Sequence, residues 1–301
     1  MRLFGTSSSG KPHYSAKAYC FLNDTFSIPS EDLGAPVIAV NYSSITALRD
    51  VLEKHQVHTV ISTLAVVDAD SALAQKNLIQ AAVEAAVTQR FVVSDWGPAY
   101  TAAQTNDSPR VKWRLESFDI LASTDLERRR FSLGVFMDYW GMNAFKSHLE
   151  PFAWAVDLEN KVAAIPGSGN EPVVFTHSYD VARFVVAALD LPKWERHSFV
   201  VGDKLTWDDF LTIAEEVRGC KFEVVHDTVE QLRNRQPTFL PAIKFLESHE
   251  ETSAMLSAIG IWSSQGVFNL GYGRSLNVLF PEIKPLKVKE LLEKEWGGRN
   301  T

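Results

Sequence analysis

The chain has 301 residues and a mass of 33.6 kDa, room for one large or two small domains, because single hydrophobic cores stop growing at about 250–300 residues. Hydrophobic residues make up 46% and charged residues 22%, which excludes a disordered polyelectrolyte. The 30 basic and 37 acidic side chains leave a formal charge of −7, a field that repels phosphate backbones and excludes nucleic acid as a general partner.

In chain order, a short apolar "RLF" leads into Phe4-Gly5-Thr6-Ser7-Ser8-Ser9-Gly10-Lys11, a small-residue loop that lets backbone N–H groups approach a phosphate at a helix start. As a P-loop it has Gly5, Gly10 and Lys11 in place, but Pro12 stands where a magnesium-binding hydroxyl is needed. As a dinucleotide loop it lacks two of three glycines, and a flexible polar N-terminus is the bland alternative. Pro36 to Tyr42 then reads as a strand, and Ser43 to His55 as a helix with Ile45, Leu48, Val51 and Leu52 on one face. His58 to Leu64 is the next strand, and the Ala-rich helix Ala69 to Val87 turns Leu73, Leu78, Ile79 and Val83 inward. Arg90 to Gly97 is the third strand, Val111 to Leu121 a helix, and Arg129 to Phe136 the fourth strand. This alternation predicts a parallel sheet flanked by helices.

The second half changes character. Short strands ("FAWAVDL", "KVAAIP", "PVVFTH") alternate with Gly/Pro turns, and the helix Ser178 to Leu191 returns to the sheet. After "HSFVVG" comes a helix with Thr206 as N-cap and Gly219 as stop, then the strand "KFEVVHD", and Thr228 with Gln231 forms a capping box. From Pro241 the chain reads as mostly helical and builds one wall of a cleft.

Alternating strands and helices place ligands beyond the carboxyl ends of the strands. Those ends carry Asn41, Tyr42, Thr63, Leu64, Ser94 and Asp95, small and polar residues that together suit a bound dinucleotide. Met137, Tyr139 and Trp140 after the fourth strand, and His177 at the head of a helix, are the substrate-contact candidates, although aromatics at this density are more often core. No lysine has a tyrosine four residues before it, so the usual short-chain dehydrogenase acid is missing. Lys112, at the head of the helix after the third strand, is the candidate proton donor, with Arg114 beside it. Cys20 and Cys220 lie far apart with no metal-ligand spacing, so a reducing, cytoplasmic setting and no metal are expected. Without a membrane-length apolar run or a secretory signal core, no membrane association is expected.

The chain resembles the NmrA-like family of atypical short-chain dehydrogenases, close to the isoflavone-reductase-like proteins of filamentous fungi. The likeness runs from about Leu33 to Trp296 and is carried by "LGAPVIAVNYSS", "VHTVISTLA", "RFVVSDWGPAY", "FMDYWGM" and "VAAIPGSGNEPVVFTHSYDVARFV". It implies an α/β fold: a Rossmann-type doubly wound parallel sheet with a shortened first βα unit over residues 1–150, and a smaller C-terminal α+β substrate lobe over 151–301 that sends about 173–202 back to the main sheet. On the family loop G-G-T-G-x-x-G, Gly5, Thr6 and Gly10 match, while Phe4 and Ser7 replace glycines. The resemblance implies NAD or NADP as cofactor, with Lys11 able to serve a 2′-phosphate, and a lysine near Lys112 as the catalytic residue. The expected activity is reduction of a C=O, C=N or conjugated C=C in a small, secondary-metabolite substrate. The rival expectation is a non-catalytic dinucleotide sensor that binds a protein partner.

Overall fold

The structure is a computed structural model and describes residues 2–5, 17–23, 35–141, 144–243 and 248–298. The first half forms strands β1 (Arg2–Gly5), β2 (Lys17–Asn23), β3 (Val37–Val40), β4 (Thr59–Ile61), β5 (Arg90–Val92) and β6 (Glu127–Ser132). Helices α1 (Ile45–Lys54), α2 (Ala69–Glu84), α3 (Pro109–Ala122) and α4 (Ser178–Leu189) cover the sheet they build. The two-residue period of the strands decides which face each side chain serves. Val60, Phe91 and Val93 pack against Leu48 and Leu52 of α1, Leu78 and Ile79 of α2, and Leu121 of α3. Ile61 and Val92 point the other way, against Val181, Phe184 and Val185 of α4. Burial on both faces is why these segments read as nearly continuous apolar runs.

In the second half come β7 (Val135–Phe136), β8 (Val156–Asp157), β9 (Val162–Pro166), β10 (Val173–Thr176), β11 (His197–Phe199), β12 (Asp203–Leu205) and β13 (Glu223–Asp227). The main sheet has seven strands in the order β11-β6-β5-β4-β1-β2-β3. The pairs β2–β3, β4–β5, β5–β6 and β6–β11 are parallel, which gives the predicted parallel α/β sheet. β1 differs. It occupies the middle of the sheet but runs antiparallel to both neighbours, with Phe4 opposite Ala18 on β2 and Thr59 on β4. Residues 6–16 join β1 to β2, a connection at the short end for a parallel crossover and ample for an antiparallel pairing. Gly5 therefore stands at the amino ends of its neighbours, opposite the carboxyl ends that carry the other dinucleotide-contact candidates. Thr6, Ser7, Gly10 and Lys11 lie outside the described residues.

The described residues also form two three-stranded sheets, β12-β10-β7 and β13-β9-β8. Of the segment expected to rejoin the main sheet, β11 does so beside β6, whereas β10 pairs with β7 and β12. Around these sheets lie α5 (Trp207–Arg218), α6 (Val229–Arg233), α7 (His249–Ser264), α8 (Leu276–Leu279) and α9 (Val288–Trp296). The caps of α5 and α6 are those read from the sequence: Thr206 accepts from the Asp209 N–H, Gly219 closes α5 in the left-handed region at φ 65°, and Thr228 with Gln231 caps α6. The second core is aromatic, with Trp140 tilted on Phe210 at 4.9 Å and edge-on to Phe175 at 5.8 Å. In α2 the inward face differs from the predicted one. Leu78 and Ile79 are buried, but Leu73 and Val83 are 56% and 42% exposed, and Ala72, Gln75, Ala81 and Ala82 hold the inner positions. Gln75 is drawn inward by a polar partner, the Ser62 hydroxyl at 2.5 Å.

Candidate functional site

β4, β5 and β6 end on one rim, and short polar ties hold the rim loops together. The Ser94 hydroxyl donates to the Leu64 carbonyl (2.7 Å) and the Trp96 indole N–H to the Ser62 carbonyl (3.0 Å), which locks the turns after β4 and β5 to each other. After β3, Asn41 accepts the Ser43 N–H (2.9 Å) in an Asx turn, and Ser44 then caps α1. The Tyr42 carbonyl accepts from the Asn77 amide (2.9 Å), and burial raises the Tyr42 phenol pKa. Asn41 and Thr63 are exposed and Leu64 is half-buried, so these three face solvent at the rim, while Ser94 and Asp95 are buried beneath it.

Under the rim lies a buried network that the sequence reading lacked. Asp95 is 1% exposed and pairs with Arg130 at 3.4 Å. Burial raises its carboxyl pKa, opposed by the Arg114 and Arg130 guanidinium groups. Arg130 also donates to the Tyr100 carbonyl (3.0 Å) and reaches His197 Nδ1 (3.3 Å), while His197 Nε2 meets the Ser132 hydroxyl (2.8 Å). Because Arg130 has only donors, His197 accepts at Nδ1 and carries its proton on Nε2. Burial, with Arg130 beside it, pushes this imidazole down to about 3.

Lys112 does not take part. Its side chain is 66% exposed and stands 3.9 Å from Glu116, which itself holds Lys76 of α2 at 2.8 Å. Residues four apart share a helix face, and on α3 the rim-facing pair is Arg110 and Arg114, with Lys112 turned away between them. Arg110 donates to the Val67 carbonyl (3.2 Å) and approaches Met255 of α7, and Arg114 meets the Tyr100 hydroxyl at 3.4 Å. Tyr100 is buried, its phenol pushed up to about 12 by that burial. Helix phase thus places the Lys112 side chain on the outer face of α3. Arg110 and Arg114 were detectable from their spacing, whereas Tyr100 carried no local signal.

Of the substrate-contact residues, Met137 and Trp140 are core side chains, 0% and 1% exposed, and the Trp140 indole is spent on the Val156 carbonyl at 2.9 Å. Tyr139 is half-buried with its ring edge-on to Phe152 at 5.7 Å, and burial raises its pKa. Because β7 and β10 are parallel, with Phe136 beside Thr176, the residues that follow them are neighbours. Asp138 and His177 are therefore brought together, 3.6 Å apart, on the wall of a cleft of about 480 Å³ that also holds Phe145, Ser147 and Glu295. Among the described residues no group of three His, Cys, Asp or Glu side chains is placed to hold a metal, and no helix is long and apolar enough to cross a membrane.

Comparison with known proteins agrees with this architecture. The chain is 36% identical over 257 residues to the oxidoreductase BOA1 of Botryotinia fuckeliana, covering 83% of this chain and 81% of the relative. It is 26% identical over 302 residues to the oxidoreductase swnN of Metarhizium robertsii, covering 91% and 89%. Among solved structures, pinoresinol-lariciresinol and phenylcoumaran benzylic ether reductases share the fold with a TM-score of 0.70 at 19% identity, over 92% of this chain and 89% of theirs. The leucoanthocyanidin reductase–NADPH complex of Vitis vinifera does so with a TM-score of 0.69 at 16% identity, over 92% and 90%. The NmrA-like family matches residues 28–256, from just before β3 into α7, and the chain belongs to that family.

Proposed function

We propose that the protein is a nicotinamide-dependent reductase, using NADP(H) in preference to NAD(H), that acts on a small organic molecule bearing a C=O, C=N or conjugated C=C in a cytoplasmic step of secondary metabolism. The observation that carries this reading is the 36% identity, over most of both chains, to a fungal oxidoreductase. The leucoanthocyanidin reductase that shares this fold was crystallised with NADPH, which favours NADP(H). In this reading residues 1–150 hold the cofactor and residues 151–301 the substrate. Asn41, Thr63 and Leu64 face the rim and fit contacts to a dinucleotide laid along it, with Tyr42, Ser94 and Asp95 supporting the turns from below. The pyrophosphate is less well served: Gly5 leaves the sheet at the opposite end, so no described turn pairs a close backbone approach with a helix start after β1. Tyr139 and His177 are the substrate-side residues, and no protein group on the rim is assigned the chemical step.

The placement of Gly5 at the amino ends of its neighbours is also the observation that favours a second reading, a regulatory protein that senses dinucleotides and binds a protein partner. One titration separates the two. Quenching of the eight tryptophans by NADPH and NADH is followed first, and then oxidation of the reduced cofactor with ketone, imine and enone probes. The reductase reading expects saturable quenching, tighter for NADPH, and consumption of cofactor with at least one probe. Quenching without consumption favours the regulator, and no quenching by either nucleotide overturns the reductase.

A further inference from the structure

His177 is the N-cap of α4, and its hydrogen bonding defines the state of its ring. The Tyr179 N–H donates to Nδ1 (3.2 Å), which leaves the ring proton on Nε2. Nε2 itself makes no hydrogen bond among the described residues. The Asp138 oxygen 3.6 Å away is beyond hydrogen-bond length, and it already accepts the hydroxyls of Ser147 (2.6 Å) and Ser178 (2.5 Å). The other Asp138 oxygen accepts the Ser178 N–H (2.8 Å). His177, only 5% exposed, thus lines the cleft and carries a donor that no described acceptor holds.

The other walls define what that donor meets. Asp138 and Glu295 are buried carboxylates, Glu295 binding the N–H groups of Ala144 (3.0 Å) and Phe145 (2.9 Å), and Lys146 is an exposed cation at the edge. Two acids against one lysine disfavour an anion, and Phe145, Leu149 and Leu291 supply apolar surface. We propose that His177, through Nε2–H, holds the oxygen of a neutral carbonyl- or hydroxyl-bearing small molecule in this cleft. That this molecule is the substrate rests on the reductase reading, whereas the binding claim stands apart from it. A neutral imidazole can polarise a carbonyl without surrendering its proton, which suits a site from which the helix-head lysine is turned away.

The test uses the full chain labelled with ¹⁵N-histidine, acetophenone as the neutral carbonyl probe and benzoate as its anionic counterpart. The expected spectrum near neutral pH has the His177 ring protonated on Nε2 and bare at Nδ1, with the Nε2 signal shifting on addition of acetophenone and not of benzoate. Two variants separate the donor from the cap. His177→Asn keeps both, its amide oxygen capping the helix and its NH₂ facing the cleft, and His177→Ser keeps the cap alone. Acetophenone affinity should stay within about threefold in the Asn variant and weaken about tenfold or more in the Ser variant. A ring protonated on Nδ1, no response to acetophenone, a stronger response to benzoate, or equal losses in the two variants would overturn the proposal. NADPH quenching of the same unsubstituted sample reports on the reductase reading separately, so a chain that answers acetophenone but ignores NADPH sinks that reading and leaves this one standing.

Discussion

Lys112 presents its ammonium to solvent and to Glu116, and an exposed pair of this kind contributes about 0–1 kcal/mol. Lys112→Ala should therefore leave NADPH affinity and turnover of any probe substrate within about twofold, because no bond to the rim is lost. A loss of about 100-fold, the scale of a removed proton donor, would show that the helix head rearranges when ligand binds. His197 makes a prediction about pH. Its folded-state pKa of about 3 lies below the ordinary 6.5, so between those values the unfolded chain binds a proton that the folded protein does not. The contribution is complete above pH 6.5 and is lost as pH falls towards 3. Urea unfolding should show a loss of up to about 2 kcal/mol between about pH 7 and pH 5 from this group, and His197→Gln should flatten that slope; an unchanged slope would assign it to other residues.

At the scale of elements, the passage from β6 into β7 turns on Gly134. It sits at φ 78°, and a Cβ there would lie 2.0 Å from the Val174 carbonyl oxygen on β10. Backbone cannot yield as a flexible side chain does, so Gly134→Ala combines left-handed strain with a clash against the strand that carries His177. A loss of about 3 kcal/mol or more is expected, read as a lowered urea midpoint. Gly271, with nothing within 4 Å of an added Cβ, is the control, and Gly271→Ala should stay within about 0.5 kcal/mol. Helix α2 shows how an element's inner face is chosen. Its pattern of leucine and valine placed Leu73 and Val83 inside, but small alanines allow closer approach to α1 and the sheet, and Gln75 gains a buried partner in Ser62. Leu73→Gln should accordingly change stability by less than about 0.5 kcal/mol.

For the molecule as a whole, the decisive feature is the direction of β1. Antiparallel pairing places Phe4 beside Thr59, whereas a parallel β1 would bring Arg2 towards that position. Cysteine pairs report the register: oxidation should cross-link Phe4→Cys with Thr59→Cys and leave Arg2→Cys with Thr59→Cys free. The reverse result would return the glycine-bearing turn to the carboxyl rim, and with it the pyrophosphate site. The two halves of the molecule also meet across the rim, where the Trp262 indole of α7 donates to Asp107 (2.8 Å) and stands edge-on to Tyr100 at 5.2 Å.

Local chemistry made much of this protein legible in its sequence. Apolar runs at strand length, helical spacing of Leu48 and Leu52, the caps at Thr206 and Thr228 and the stop at Gly219 are properties of a few adjacent residues, and so is the ordered series of motifs that resembles the NmrA-like family. That Asn41 and Thr63 stand at the strand ends on the rim, with Asp95 buried beneath it, followed from the same alternation. Tertiary structure decided what depends on partners distant in the chain. Helix phase against the sheet turned Lys112 outward and Arg114 inward, close packing sealed Met137 and Trp140 in the core, and parallel pairing of β7 with β10 set Asp138 beside His177. The direction of β1 likewise appears only once the strand has found its place between β2 and β4, because it depends on partners on both sides.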